Sequence, residues 1–232
     1  LSFITIGVVT IVWTLWGYSL AYGNGELISG FIGDFSLLGL DGVNTFASEG
    51  EDISPLYDVL FQMMFAIITP ALITGAFVER FKFSTYLIFT VIWITVVYAP
   101  VAHWVWGGGW IGADGAGALD FAGGTVIHIN AGAAAVAAAI LVGKRRNPGL
   151  QPNNVPYVVL GASILWFGWF GFNGGSALAS DSYAVNAMLV TQIAAATAAT
   201  AWGIVSLITR GKISAVGVAT GAVAGLVAIT PA

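Results

Sequence analysis

The sequence predicts an all-α, polytopic membrane helical bundle. Three observations carry that expectation. First, 58% of the 232 residues are hydrophobic and only 8% charged, with a mean hydropathy of +0.90, whereas soluble domains carry about 25% charged residues. Second, seven apolar runs approach or exceed the roughly 20 residues that a helix needs to cross a hydrocarbon core. They cover 2–22, 55–78, 84–106, 121–142, 155–177, 183–208 and 214–232. Third, the Lys and Arg residues fall into alternate connections, as short cytoplasmic loops of membrane proteins do.

Those charges give an expected orientation. Arg80 and Lys82 lie in the connection 79–83, Lys144, Arg145 and Arg146 in 144–154, and Arg210 and Lys212 in 210–213, so these three are placed in the cytoplasm. The acidic loop 23–54 and the turns around Asp114 and Asp181 are placed outside, giving a multi-pass protein of the cell membrane. The sequence pI near 4.9 is no nucleic-acid footprint, and with no cysteine there is no thiolate-metal signal. No metal or cofactor is expected. The seven runs leave no room for a soluble domain, so 1–232 reads as a single domain. Leu1 follows no initiator Met, charged n-region or cleavage site, and the last run stops at Thr230-Pro231-Ala232 without flanking charge. The domain is accordingly expected to be truncated at both ends.

Small residues recur at helical spacing in the fourth run (Ala131, Ala135, Ala139, Gly143) and in the last (Gly217, Gly221, Gly225). Such stripes let helix backbones approach closely where lipid removes the usual hydrophobic driving force. They describe scaffold and not chemistry.

The chemistry is expected around His128, an ionisable group inside an almost uncharged run, and such groups in a membrane are costly. Counted from Asp120, His128 lies eight residues in, roughly 12 Å below the outer edge. Phe61 and Phe65 stand one turn apart on the second run. Trp106 and Ser176 fall at the outer rim, with Phe172 one turn beneath Ser176. An aromatic face attracts cations, a hydroxyl accepts a hydrogen bond from an ammonium-type donor, and an apolar constriction opposes ions far more than neutral molecules. Such a column favours a small cation that can shed its proton.

The same residues have simpler readings. His128 could be an imidazole bonded to a neighbouring helix. Asp120 could be an N-cap, with or without a supporting role at a site. Trp104, Trp106 and Trp110 could form an interfacial belt, and the phenylalanines could be packing. Gly174-Gly175-Ser176-Ala177 with His128 superficially offers a serine hydrolase, but the depths of Ser176 and His128 argue against a dyad. A retinal-type seven-helix sensor would need a mid-membrane lysine, and every lysine lies at a loop.

Four runs in order carry a resemblance: Leu60-Phe61-Gln62-Met63-Met64-Phe65-Ala66, Pro100-Val101-Ala102-His103-Trp104-Val105-Trp106-Gly107-Gly108-Gly109, Leu119 through Asn130, and Gly168-Trp169-Phe170-Gly171-Phe172-Asn173-Gly174-Gly175-Ser176. With them the chain resembles the Amt/MEP/Rh ammonium transporter family, bacterial Amt type, from about its second helix to its eighth. The resemblance implies about seven of eleven transmembrane helices, inverted repeats and a homotrimer with one pore per subunit. It implies a channel-like ammonium/ammonia transporter and not an enzyme, with an ammonium sensor domain as the alternative. It also implies contact with a P-II signalling protein at the cytoplasmic face, where the basic connection 144–154 is expected. By motif, Trp106, Ser176 and Phe61 resemble the outer ammonium-recruitment site, Phe65 and Phe172 the pore gate, His128 the first of two pore histidines, and Asp120 a residue supporting the recruitment site. The second pore histidine has no counterpart here; His103 lies near the outer end of its run and does not replace it.

Overall fold

The computed structural model describes residues 1–47, 53–146, 149 and 151–231. Parts of three expected features, namely 48–52 of the acidic loop, 147, 148 and 150 of the basic connection, and Ala232 of the last run, lie outside the described residues.

Among the described residues six helices are long and apolar enough to span a membrane: α1 (Ile4–Tyr22), α2 (Pro55–Ala76), α3 (Phe83–Val105), α4 (Gly124–Val142), α5 (Val155–Gly174) and α6 (Ser182–Arg210). The seventh expected span is shorter, α7 (Ala215–Ile229), with 15 residues. The fold is the expected polytopic helical bundle, and it falls into two compact units: Leu1–Asp120 with Thr125–Arg146, and Phe121–Gly124 with Asn147–Ala232.

Helix starts follow the chemistry of capping. The side chains of Ser54, Asn154, Asp181 and Ser214 each accept a backbone N–H from the first turn of α2, α5, α6 and α7, satisfying donors that have no intrahelical partner. Pro55 and Pro156 occupy the opening positions of α2 and α5, where a missing N–H costs nothing. Helix α6 ends at Gly211, whose φ of 70° is left-handed, a conformation glycine adopts without strain.

In the first unit, α1 packs on α2 and α3, and α2 packs on α4. Between α1 and α2 the chain forms a short antiparallel ribbon, β1 (Glu26–Ile28) with β2 (Ile32–Gly33), which the hydropathy pattern did not signal. The loop after α3 folds onto it: Trp104 Nε1 donates to Phe31 O at 2.8 Å and Trp110 N to Gly30 O at 3.2 Å. A Cβ on Gly107 would lie 2.1 Å from Ala21 O and one on Gly109 2.6 Å from Trp104 Cα, so this loop requires glycine at both positions. His103 is buried beneath it, with Nδ1 2.9 Å from Ala21 O and Nε2 3.2 Å from Glu26 Oε1. His103 thereby ties α3 to the end of α1 and to the ribbon.

Among the described residues four stretches widen into π-helix: Trp13–Gly17 in α1, Ile94–Tyr98 in α3, Gly124–Ile129 at the start of α4, and Phe170–Gly174 at the end of α5. The first two meet. Trp16 Nε1 donates to Thr95 Oγ1 at 2.9 Å, and the Trp13 and Tyr98 rings are 5.9 Å apart.

In the second unit the glycine stripe of α7 seats against α6. A Cβ on Gly225 would lie 2.4 Å from Ala194 O, and one on Gly221 2.6 Å from Trp202 Cβ. The stripe on α4 behaves differently: Ala131 is buried, but Ala139 is exposed and Gly143 has open space where a Cβ would stand. Polar side chains add directional links on α5. Trp169 Nε1 donates to Thr230 Oγ1 at 2.9 Å, and Asn173 Nδ2 to Thr191 Oγ1 at 2.8 Å.

Two outcomes are expected. Gly225→Leu forces a side chain into the Ala194 carbonyl and destabilises the protein by about 1–3 kcal/mol or more, whereas Gly217→Ala meets only the Trp202 ring at 3.1 Å and costs less. Thermal unfolding followed by size-exclusion in detergent ranks the two. The second concerns Glu26, whose carboxyl is held below the usual carboxylate range by the Gly30 N–H, then by His103 and the Ser29 hydroxyl. Because the folded pKa is lowered, this contribution is complete above the ordinary carboxylate pKa and fades as pH falls through the lowered one. The difference in melting temperature between wild type and Glu26→Gln therefore shrinks from neutral pH toward about pH 3.

Candidate functional site

Helix α4 starts later than the hydropathy run suggests. Residues 121–123 bend, Gly123 takes a φ of 104°, and the first helical residue is Gly124. His128 thus stands four residues into the helix, roughly 6 Å along it from Gly124. It is half-buried, while Val126 and Ile127 beside it are fully buried.

The bend lets Asp120 reach the start of that helix. Its Oδ2 accepts the backbone N–H of Thr125 at 2.9 Å and of Val126 at 3.0 Å. Its backbone carbonyl accepts Trp106 Nε1 at 2.8 Å. Asp120 therefore caps α4 and also holds the Trp106 indole.

Trp106 is separated from its neighbours by this bond. Trp104 meets Phe31 edge-to-face at 6.0 Å and Trp110 stacks on it at 6.1 Å over the ribbon, whereas the Trp106 ring lies 5.8 Å from that of Phe65. Phe65 meets Phe61 edge-to-face at 4.7 Å, and Phe61 stacks on Tyr57 at 5.9 Å and 11°. A ladder of rings thus runs Tyr57, Phe61, Phe65, Trp106. Phe65 is only 2% exposed, and Phe61 and Trp106 are half-buried. Tyr57 was missed by the sequence reading, although its i, i+4, i+8 spacing with Phe61 and Phe65 could have signalled it.

Phe172 and Ser176 belong to the second unit. Phe172 lies in the π-helical end of α5 and stacks on Trp169 with ring centroids 5.0 Å apart and planes 19° from parallel. The Ser176 hydroxyl donates to the Phe172 carbonyl at 2.8 Å, which leaves its oxygen lone pairs available as acceptors. Among the described residues no cluster of His, Asp and Glu has the form of a metal site.

The family model described as Ammonium Transporter Family matches residues 1–232. The chain belongs to the ammonium transporter family. It is 52% identical over 236 residues to the ammonium transporter of Aquifex aeolicus, matching all of this chain and 54% of that protein. It is similar to the crystal structure of Mep2 from Candida albicans, with 40% identity and a TM-score of 0.91, covering 99% of this chain and 52% of that one. A structure titled Sensor Amt Protein matches at 34% identity and a TM-score of 0.85, over 99% of this chain and 58% of that one. The chain spans about half the length of the curated relatives it matches.

Removing the Asp120 carboxylate strips two N–H groups of their acceptor. Asp120→Ala is expected to lose about 1 kcal/mol or more of stability, and Asp120→Asn, which keeps one carbonyl acceptor, to lose less. Melting temperatures of the two variants in detergent check the order.

Proposed function

We propose that the protein carrying this chain passes ammonium nitrogen across the cell membrane by a channel-like route, with residues 1–232 forming part of a single ammonium transporter domain. The observation that best supports the reading is the double hold of Asp120, which links the Trp106 ring to the start of the helix bearing His128. In this mechanism the faces of Trp106 and Phe61 recruit NH4+ through their ring quadrupoles, worth about 0.5–2 kcal/mol, and the Ser176 oxygen accepts a hydrogen bond from it. Phe65 and Phe172 form the gate, where stripping water from a charge is far costlier than passing neutral ammonia. His128 serves the deprotonated substrate through a ring nitrogen, one nitrogen donating and the other accepting.

Charge in the connections supports an orientation with 79–83, 144–154 and 210–213 in the cytoplasm and the acidic loops outside. A homotrimer, and a P-II signalling protein meeting the cytoplasmic face near 144–154, complete the proposal. A second reading, an ammonium sensor domain, has its own support in the similarity to the Sensor Amt Protein structure.

The test uses the full-length protein in proteoliposomes. Trp106→Leu is expected to raise the half-saturating ammonium concentration about 2- to 30-fold, and His128→Ala to lower flux or to let ions through with ammonia. Unchanged flux and selectivity in His128→Ala would remove the histidine from the mechanism. Wild-type protein without ammonium flux, but with an ammonium-dependent signalling output, would favour the sensor.

A further inference from the structure

Three rings of the aromatic ladder stand one turn apart on α2, at Tyr57, Phe61 and Phe65, and their exposure falls along the helix. Tyr57, in the opening turn, is 44% exposed, Phe61 is half-buried and Phe65 is 2% exposed. Contact between the rings is unbroken. Tyr57 stacks on Phe61 at 5.9 Å with the planes 11° from parallel, Phe61 meets Phe65 edge-to-face at 4.7 Å, and Phe65 lies 5.8 Å from Trp106.

That stack fixes which part of Tyr57 a ligand can meet. Rings at this separation touch, so nothing enters between Tyr57 and Phe61, and the exposure of Tyr57 falls on its other face and its edge. A ring face attracts a cation, weakly where water competes and more strongly as water is removed. The ladder therefore offers a cation a series of faces along which desolvation increases by steps, from Tyr57 to the buried Phe65.

Charge around the start of α2 has the sign that suits such a ligand. Residues 23–54 contain six acids, Glu26, Asp34, Asp41, Glu49, Glu51 and Asp52, and no Lys or Arg. A surface of one sign raises the local concentration of counter-ions. The neighbouring Asp58 carboxylate is held in place, accepting the Tyr18 hydroxyl at 3.0 Å.

We propose that Tyr57 is a further binding residue for ammonium, the outermost of the ladder. The cation rests first on the open face of the phenol ring and passes from there to Phe61 and Trp106. This role rests on recruitment of ammonium at Trp106 and Phe61, and it extends that site by one turn of α2.

The experiment measures flux against ammonium concentration for the full-length protein in proteoliposomes. Tyr57→Leu, apolar but without a ring, is expected to raise the half-saturating concentration about two- to fivefold and to change maximal flux less. Tyr57→Phe keeps a ring face and stays closer to wild type. A ring that only propped Phe61 would act through it, so the same change is also made in Phe61→Leu protein, where Tyr57→Leu is expected still to add about a twofold increase or more. Loss of its effect in that background overturns the proposal, because Tyr57 is then a support for Phe61. Equal half-saturating concentrations for wild type and Tyr57→Leu overturn it without the double variant. Trp106→Leu separates the two levels: a shift there with none in Tyr57→Leu overturns the role of Tyr57 alone, whereas no shift in Trp106→Leu overturns the recruitment site and this extension with it.

Discussion

A backbone that enters a bilayer as helix must find partners for its first N–H groups, because no water is present to take them and each unsatisfied group costs several kcal/mol. At the start of α4 that demand is met by one carboxylate. Asp120 takes the N–H groups of Thr125 and Val126, and because the chain has bent back to allow this, its own carbonyl points at the Trp106 indole. The position of the Trp106 ring is therefore a by-product of helix capping. From that ring the contact passes to Phe65 and along α2 to Phe61 and Tyr57, so the aromatic ladder inherits its register from the cap.

The π-helical stretches do comparable work by a different route. A π turn carries its hydrogen bonds one residue further than an α turn, which widens the helix and moves side chains off the ordinary 3.6-residue repeat. In α1 and α3 two such turns face each other, and the altered directions let Trp16 reach Thr95 and Trp13 reach Tyr98. In α4 and α5 the widened turns contain His128 and Phe172. A wide turn is less favourable than an α turn, so its presence at these residues is compensated by the polar and ring contacts around it: Asp120 at one, the stack on Trp169 at the other.

How much of this could be read in advance depends on the kind of signal. The seven helices were legible because apolar length is a summed property, and their starts were legible wherever Ser, Asn or Asp precedes the run. The α7 glycine stripe was legible for a similar reason, since three glycines four apart on one face leave little doubt about close approach. The true start of α4 was not: Phe121 and Ala122 look like helix by hydropathy, and only the left-handed Gly123 together with the Asp120 cap excludes them. The ribbon at Glu26–Ile28 was equally hidden, because it is held by Trp104, Trp110 and His103, residues more than 70 positions away. On the α4 stripe, Ala131 is buried while Ala139 is exposed.

The two ends of α4 are held by side chains of opposite charge. The helix has a partial positive charge at its start and a partial negative charge at its end, each with unsatisfied backbone groups. Asp120, an acid, occupies the first, and Arg80, a base from the connection after α2, occupies the last by bonding Gly143. Each charge therefore satisfies hydrogen bonds and complements the dipole at once. The same arginine that closes the helix also ties the connection after α2 to the end of α4, so two basic connections that the sequence separates by more than 60 residues are joined by the bond that completes the helix end.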